Sequence, residues 1–218
     1  MLQDISLYYE AGQLVTDSSA TFAPSLLPAA TSAAQGAAVL NGSYGPSLTG
    51  LGLQLATMAI PAINGNMSAT AQRMLVFLCT APQTVTVSTL GAWLEVAAVT
   101  AGTGVNRLAL FTEAGVLLQQ SADMTTAFQS AVSGTYIPVE GAITSQQLTA
   151  GSNYWLGLIS NFTGTAPAFG GNANLSVAYP QVNGHYLAGY VASQATVPAS
   201  FTPSALTVFT RIPFIYAR

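Results

Sequence analysis

No lysine occurs anywhere in this chain, and several other residue types are scarce. Positive charge is confined to Arg73, Arg107, Arg211 and Arg218, against seven carboxylates, for a net charge of −3. Nucleic-acid binding by phosphate neutralisation therefore has almost nothing to work with. A phosphate loop of the G-x-x-x-x-G-K-[ST] type cannot be built at all without lysine. The single cysteine, Cys79, has no intrachain partner, and its place in the apolar run MLVFLC predicts a buried, inert thiol. The single histidine, His185, stands in the turn-like VNGHY and reads as incidental rather than catalytic. No run approaches 18 uninterrupted apolar residues, which excludes a spanning helix. MLQDISLYYE has neither the basic nor the apolar region of a secretory signal, so an exported transmembrane barrel is not expected.

Catalytic patterns are also missing. No G-x-S-x-G precedes a helix, and no C-x-x-C, H-x-x-x-H or D-x-D-x-D-G motif offers metal ligands. Asp4, Glu10, Asp17, Glu95, Glu113, Asp123 and Glu140 are scattered singly, so no carboxylate pair is set for glycoside hydrolysis. Glu95, interrupting AWLEVAA, reads as a solvated carboxylate pointing out from a strand. Asn41, Asn66, Asn161 and Asn174 begin N-x-[ST] sequons that chance explains in a chain so rich in Asn, Ser and Thr. No enzyme, metal or cofactor is expected.

What is present is apolar and polar-uncharged. Only 5% of the 218 residues are charged, whereas a typical soluble domain has about 25%. Half of the chain is apolar. A chain this long can bury roughly 70% of its unfolded surface without disulfides. A monomer with so little charge has poor colloidal stability. We therefore expect assembly, with neighbouring subunits covering apolar flanks.

The strongest structural signal runs from Thr84 to Gln120. Leu90, Ala92, Leu94, Val96 and Ala98 share one parity, so a strand places all five on one face. Asn106, Leu108 and Leu110 repeat the pattern opposite Val105, Arg107 and Ala109. Thr112–Gly115 then closes a hairpin in which Gly115 supplies a positive φ. Upstream, Leu51–Ile60 alternates, Asn64-Gly65 signals a turn, and Arg73–Cys79 predicts a core strand. Downstream, Ser121–Ala131 predicts a short helical turn capped by Asp123. Thr135–Ile143 contains Pro138 and so predicts an edge or a bulge. In Leu148–Ser160, Tyr154, Leu156 and Leu158 oppose Trp155 and Ile159, the pattern of a strand covered on both sides. Ala173–Tyr179, His185–Ala192 and Ala205–Tyr216 supply further strands, with turns at Gly170-Gly171, Asn183-Gly184 and Pro198–Pro203. The sum is an all-β, antiparallel, jelly-roll-like sandwich of about eight to ten strands.

Residues 51–218 form that domain, while residues 1–50 differ in texture. Pro24, Pro28 and Pro46 punctuate an Ala-, Ser- and Gly-rich stretch. It is either a leader without structure of its own or an extended arm that attaches to another subunit through Leu26, Leu27, Val39, Leu40 and Tyr44.

Aromatic side chains are the remaining candidates for ligand contact. Trp93 and Trp155 lie mid-strand, where core or interface packing is the default. Tyr136, Phe162, Phe169, Tyr186 and Tyr190 read as loop aromatics, with Phe162, Tyr186 and Tyr190 the candidates for touching a carbohydrate.

The run STLGAWLEVAAVTAGTGVNRLALFTEAGVLLQQSADMTTAF, followed by LTAGSNYWLGLISNF, resembles the jelly-roll sandwich of structural proteins of tailed bacteriophages. The likeness is to minor tail, fibre-like and capsid-associated or decoration proteins, in particular of phages infecting actinobacteria, and it covers about Leu75 to Val177. It implies a virion protein assembled in the host cytoplasm, bound to other virion proteins, and homo-oligomeric, commonly trimeric. Similar sandwiches serve as carbohydrate-binding modules and receptor-binding tips, so a host-surface glycan stands as the alternative partner.

Overall fold

A computed structural model describes residues 7–10, 13–16, 49–59, 62–97, 105–130, 135–172, 181–182 and 185–218. The chain divides into two compact units, Met1–Tyr44 and Gly45–Arg218. In the first, β1 (Leu7–Glu10) and β2 (Gln13–Thr16) form an antiparallel pair with Glu10 opposite Gln13. The proline-rich stretch discussed above lies outside the described residues.

The second unit begins with β3 (Leu55–Ala56), β4 (Gly65–Ser68), β5 (Met74–Thr80), β6 (Val85–Val96) and β7 (Arg107–Thr112). It continues through β8 (Leu117–Gln120), the one-turn helix α1 (Thr125–Phe128), β9 (Ile137–Leu148), β10 (Asn153–Ile159) and β11 (Ala168–Asn172). The short strands β12 (Gln181–Val182), β13 (His185–Tyr186), β14 (Ala188–Val191), β15 (Thr207–Val208), β16 (Ile212–Pro213) and β17 (Ile215–Ala217) complete it. One sheet has the order β15-β14-β5-β10-β7-β8. The other has the order β16-β11-β6-β17-β3, with β4 added on β11 and β9 on β6. Two antiparallel sheets packed face to face make this an all-β sandwich, as the strand periodicity predicts.

Alternation explains the core. Leu75 and Phe77 of β5, Leu108 and Leu110 of β7, and Leu156 and Leu158 of β10 point between the sheets. Leu90, Ala92 and Leu94 of β6 meet them there, as their shared parity requires. The opposite parity of the six-stranded sheet is buried too. Met74, Val76, Ala109, Phe111, Trp155 and Ile159 lie under Val197, Phe201 and Leu206. The cover is an irregular strap from the chain itself, stitched down where Leu117 N–H donates to Ala199 O and Phe201 N–H to Gly115 O (both 2.9 Å). This is why β10 reads as apolar on both faces. Much of the apolar surplus that suggested covering subunits is therefore spent within the chain. Among the described residues, the exposed large hydrophobics are Leu51, Val116 and Tyr136.

Several local expectations hold for clear reasons. The Thr112–Gly115 turn is present, with Gly115 at φ 81°, and Thr112 N–H donates to Val116 O at 2.8 Å. Gly115 has a second constraint, since a Cβ there would lie 2.2 Å from Phe201 O. Pro138 falls in β9, which among the described residues pairs with β6 alone and is an edge strand. A register shift opposite Val87–Thr89 adds a bulge farther along that edge. Val182 pairs with His185, while Asn183 and Gly184 between them, like the expected strand Ala173–Tyr179, lie outside the described residues.

Other expectations need correction. Gly170 and Gly171 are not a turn but the middle of β11. A Cβ on Gly171 would meet Ile212 O at 2.0 Å, and one on Gly170 would meet the Tyr136 ring at 2.7 Å. These glycines admit close neighbours in a strand rather than a reversal. Gly65 likewise opens β4. Phe169 is no loop aromatic, because it is fully buried in β11, edge-on to Phe128 at 5.1 Å. Asp123 does not cap α1, whose N-cap is Met124 without a side-chain bond. Its Oδ1 instead accepts from the Asn106 backbone N–H (3.0 Å) and the Thr125 hydroxyl (2.9 Å). The carboxylate thus ties the entry of β7 to the first residue of α1 through its side chain rather than capping the helix backbone.

Candidate functional site

The residues with chemical potential are mostly occupied in holding the fold. Cys79 is buried, and desolvation raises its thiol to about 12, so it stays protonated and unreactive as the apolar run predicts. Glu113 accepts from Asn153 Nδ2 at 2.9 Å, and its backbone carbonyl accepts the Trp155 indole N–H at 2.9 Å. Asn106, 1% exposed, anchors a buried polar cluster. Its Oδ1 accepts from Ser160 Oγ (3.0 Å) and Asn161 N–H (2.8 Å), and its Nδ2 donates to Thr125 Oγ1 (2.8 Å). Asn161 extends the cluster by accepting from Gln72 N–H at 2.9 Å and donating to Ala195 O at 3.0 Å. Every one of these groups is matched, so the cluster fastens the ends of β7 and β10 to flanking loops. No group of three or more His, Cys, Asp or Glu among the described residues is arranged for a metal.

The three aromatic residues singled out for carbohydrate contact do not form one platform. Phe162 is half-buried against the inter-sheet core. Tyr190 lies in β14 rather than a loop, half-buried, edge-on to Phe209 at 6.1 Å, with the Arg73 guanidinium 4.4 Å from its ring centre. Tyr186 pairs with Gln181 through its backbone, and its side chain lies outside the described residues, as does that of His185. Packing thus engages Phe162 and Tyr190 within the chain.

The outer face of the seven-stranded sheet is more promising. Leu53, Phe214 and Tyr216 form a third apolar cluster there, flanked by Trp93, Ala56, Met58 and Ile63. Tyr216 lies across Gly91, where a Cβ would approach its ring to 2.3 Å. Its hydroxyl donates to Glu140 Oε1 at 2.6 Å, and Glu140 Oε2 pairs with Arg218 at 2.5 Å. Burial first, then the hydrogen bond to Glu140, holds the Tyr216 phenol well above its usual range. Farther along, Trp93 sits 4.7 Å from Phe214 and lies near-parallel to Tyr136 at 6.1 Å and 23°. Tyr136 is 38% exposed, and its hydroxyl donates to Gly65 O at 3.3 Å.

Glu95 completes this patch. It shares the parity of Trp93 on β6, and the last β6–β9 pair, Leu94 with Ile137, leaves Glu95 and Tyr136 as the next residues along. The sequence reading expected a solvated carboxylate. Instead Oε2 of Glu95 is buried and has no hydrogen-bond partner among the described residues. The combination was missed because Tyr136 and Glu95 are far apart in sequence. The legible signal was the W-x-E spacing on one strand face.

No protein-family model matches the chain, and no curated protein matches it either.

Proposed function

We propose that this chain is a non-enzymatic structural subunit of a tailed bacteriophage particle, a minor tail, fibre or capsid-associated decoration protein. In this reading the sandwich packs among copies of itself and other virion proteins while the Met1–Tyr44 unit attaches it. The observation that carries the reading is the scarcity of charge: 5% charged residues in a chain whose described large apolar side chains are almost all internal. Such a chain is poorly protected against association in solution and suits a place among fixed neighbours. Contacts between subunits then rest on close approach of Ser, Thr, Asn, Gln and Ala, with Leu51, Val116 and Tyr136 as scattered apolar points. The likeness of Leu75–Val177 to phage jelly rolls points the same way.

The test is incorporation. Particles made with the full chain should contain it in many copies. A chain lacking residues 1–44 should fold, because the described core residues belong to the second unit, yet fail to join the particle. Normal incorporation of the truncated chain would remove the attachment role, and absence of the full chain from purified particles would overturn the reading as a whole.

A further inference from the structure

The outer face of the seven-stranded sheet holds a negative charge that nothing described balances. Among the described residues, Glu95 Oε2 is buried without a hydrogen-bond partner, whereas the carboxylate of Glu140 is matched by Tyr216 and Arg218. Beside Glu95 stand two near-parallel rings, half-buried Trp93 and exposed Tyr136. We propose that Glu95, Trp93 and Tyr136 form a subsite for an organic cation, a guanidinium or alkylammonium group.

The chemistry follows from what each group lacks. A carboxylate with one oxygen shut off from water and unbonded gains from a hydrogen-bond donor and a compensating positive charge. Aromatic faces carry negative quadrupole density and attract a cation within about 6 Å. Only a donor that is itself cationic meets both demands, because a neutral sugar hydroxyl would leave the charge uncompensated. Rotation about the terminal carboxylate bond, which is broad and roughly two-fold, can present either oxygen to an incoming group. The same chain already places a guanidinium on a tyrosine, with Arg73 4.4 Å from the centre of Tyr190. Glu95 lies close enough to Tyr136 to add to burial in raising its phenol above the usual range.

The cation has two possible sources. Arg73 and Arg218 are engaged on Tyr190 and Glu140, and Arg107 begins a strand of the other sheet. Arg211 is exposed, so a second copy could supply it, and otherwise the group comes from a separate molecule. This inference is independent of the virion reading and survives its failure.

The experiment uses the full chain with nitrogen-15-labelled tryptophan, whose two indole N–H signals report Trp93 and Trp155 separately. Ethylguanidinium chloride and ethylammonium chloride are titrated at low salt, with glucose as the neutral control. The Trp93 signal should shift saturably while Trp155, buried and bonded to Glu113, stays in place. E95Q should weaken the response about tenfold, and Y136A, at an exposed ring, should weaken it with the Trp155 signal unmoved. A Trp93 shift on raising protein concentration alone, lost in R211Q, identifies a second copy as the source. Its absence beside a response to the added salts identifies a separate molecule. No Trp93 shift in either series, an equal shift in E95Q, or a response to glucose without one to the cations would overturn the proposal.

Discussion

Replacing Phe201 with alanine tests whether the chain covers its own sheet. Phe201 is 8% exposed on the irregular strap over the six-stranded sheet, edge-on to Phe111 at 5.2 Å and to Trp155 at 5.5 Å. Truncating a buried phenylalanine costs about 3–5 kcal/mol, including lost edge-to-face contacts and the cavity left behind. The strap has little regular structure and can settle into part of that cavity, which favours about 3 kcal/mol. With a urea slope of about 2 kcal/mol per molar, the unfolding midpoint should fall by about 1.5 M. The backbone bond from Phe201 N–H to Gly115 O is retained in the variant, so the loss reports the ring. Measured in a W93F background, emission comes from Trp155 alone and should move to the red as water reaches it. A midpoint shift below about 0.3 M with unchanged emission would show that the strap does not seal this face, and the account of the second cluster would fall.

Three further outcomes follow from named contacts. Gly171→Ala should destabilise by about 2 kcal/mol or more, seen as a lowered melting temperature, because its Cβ would collide with Ile212 O, a backbone atom, at 2.0 Å. Asn106→Ala should cost about 2–4 kcal/mol in urea unfolding, since it strands the buried Ser160 hydroxyl and Asn161 N–H. Alkaline pH should destabilise the fold through Cys79. Burial pushes its folded thiol up to about 12 from an ordinary 9.0, so above pH 9 the unfolded chain loses a proton that the folded chain keeps. Stability then falls by about 1.4 kcal/mol per pH unit towards pH 12. The buried Tyr216 adds to the loss above its own usual range. Cys79→Ala should flatten the pH 9–10 part of the slope, and an unchanged slope would contradict the burial of the thiol.

Much of the fold was legible because alternation is a local property. Leu90, Ala92 and Leu94, or Tyr154, Leu156 and Leu158 against Trp155 and Ile159, declare their faces without reference to any partner strand. The Thr112–Gly115 hairpin and the edge role of Pro138 were legible for the same reason, since a required φ or a missing N–H constrains the chain where it stands. What failed depended on distant neighbours. Gly170 and Gly171 look like a turn until Ile212 and Tyr136 are seen pressing on them. Asp123 looks like a cap until Asn106 offers a better donor. The aromatic–carboxylate patch needs Glu95 and Tyr136 brought together by the pairing of β6 with β9, which no spacing in the sequence announces. The strap was hidden too, because Val197, Phe201 and Leu206 have no strand periodicity to mark them as core.

Sedimentation velocity on the purified full chain, over a hundredfold range of concentration at moderate salt, tests most directly whether so uncharged a surface is made for neighbours. The account predicts a discrete oligomer, or a weight-average mass that climbs with concentration. A 22.3 kDa monomer at every concentration, free of association, would contradict it.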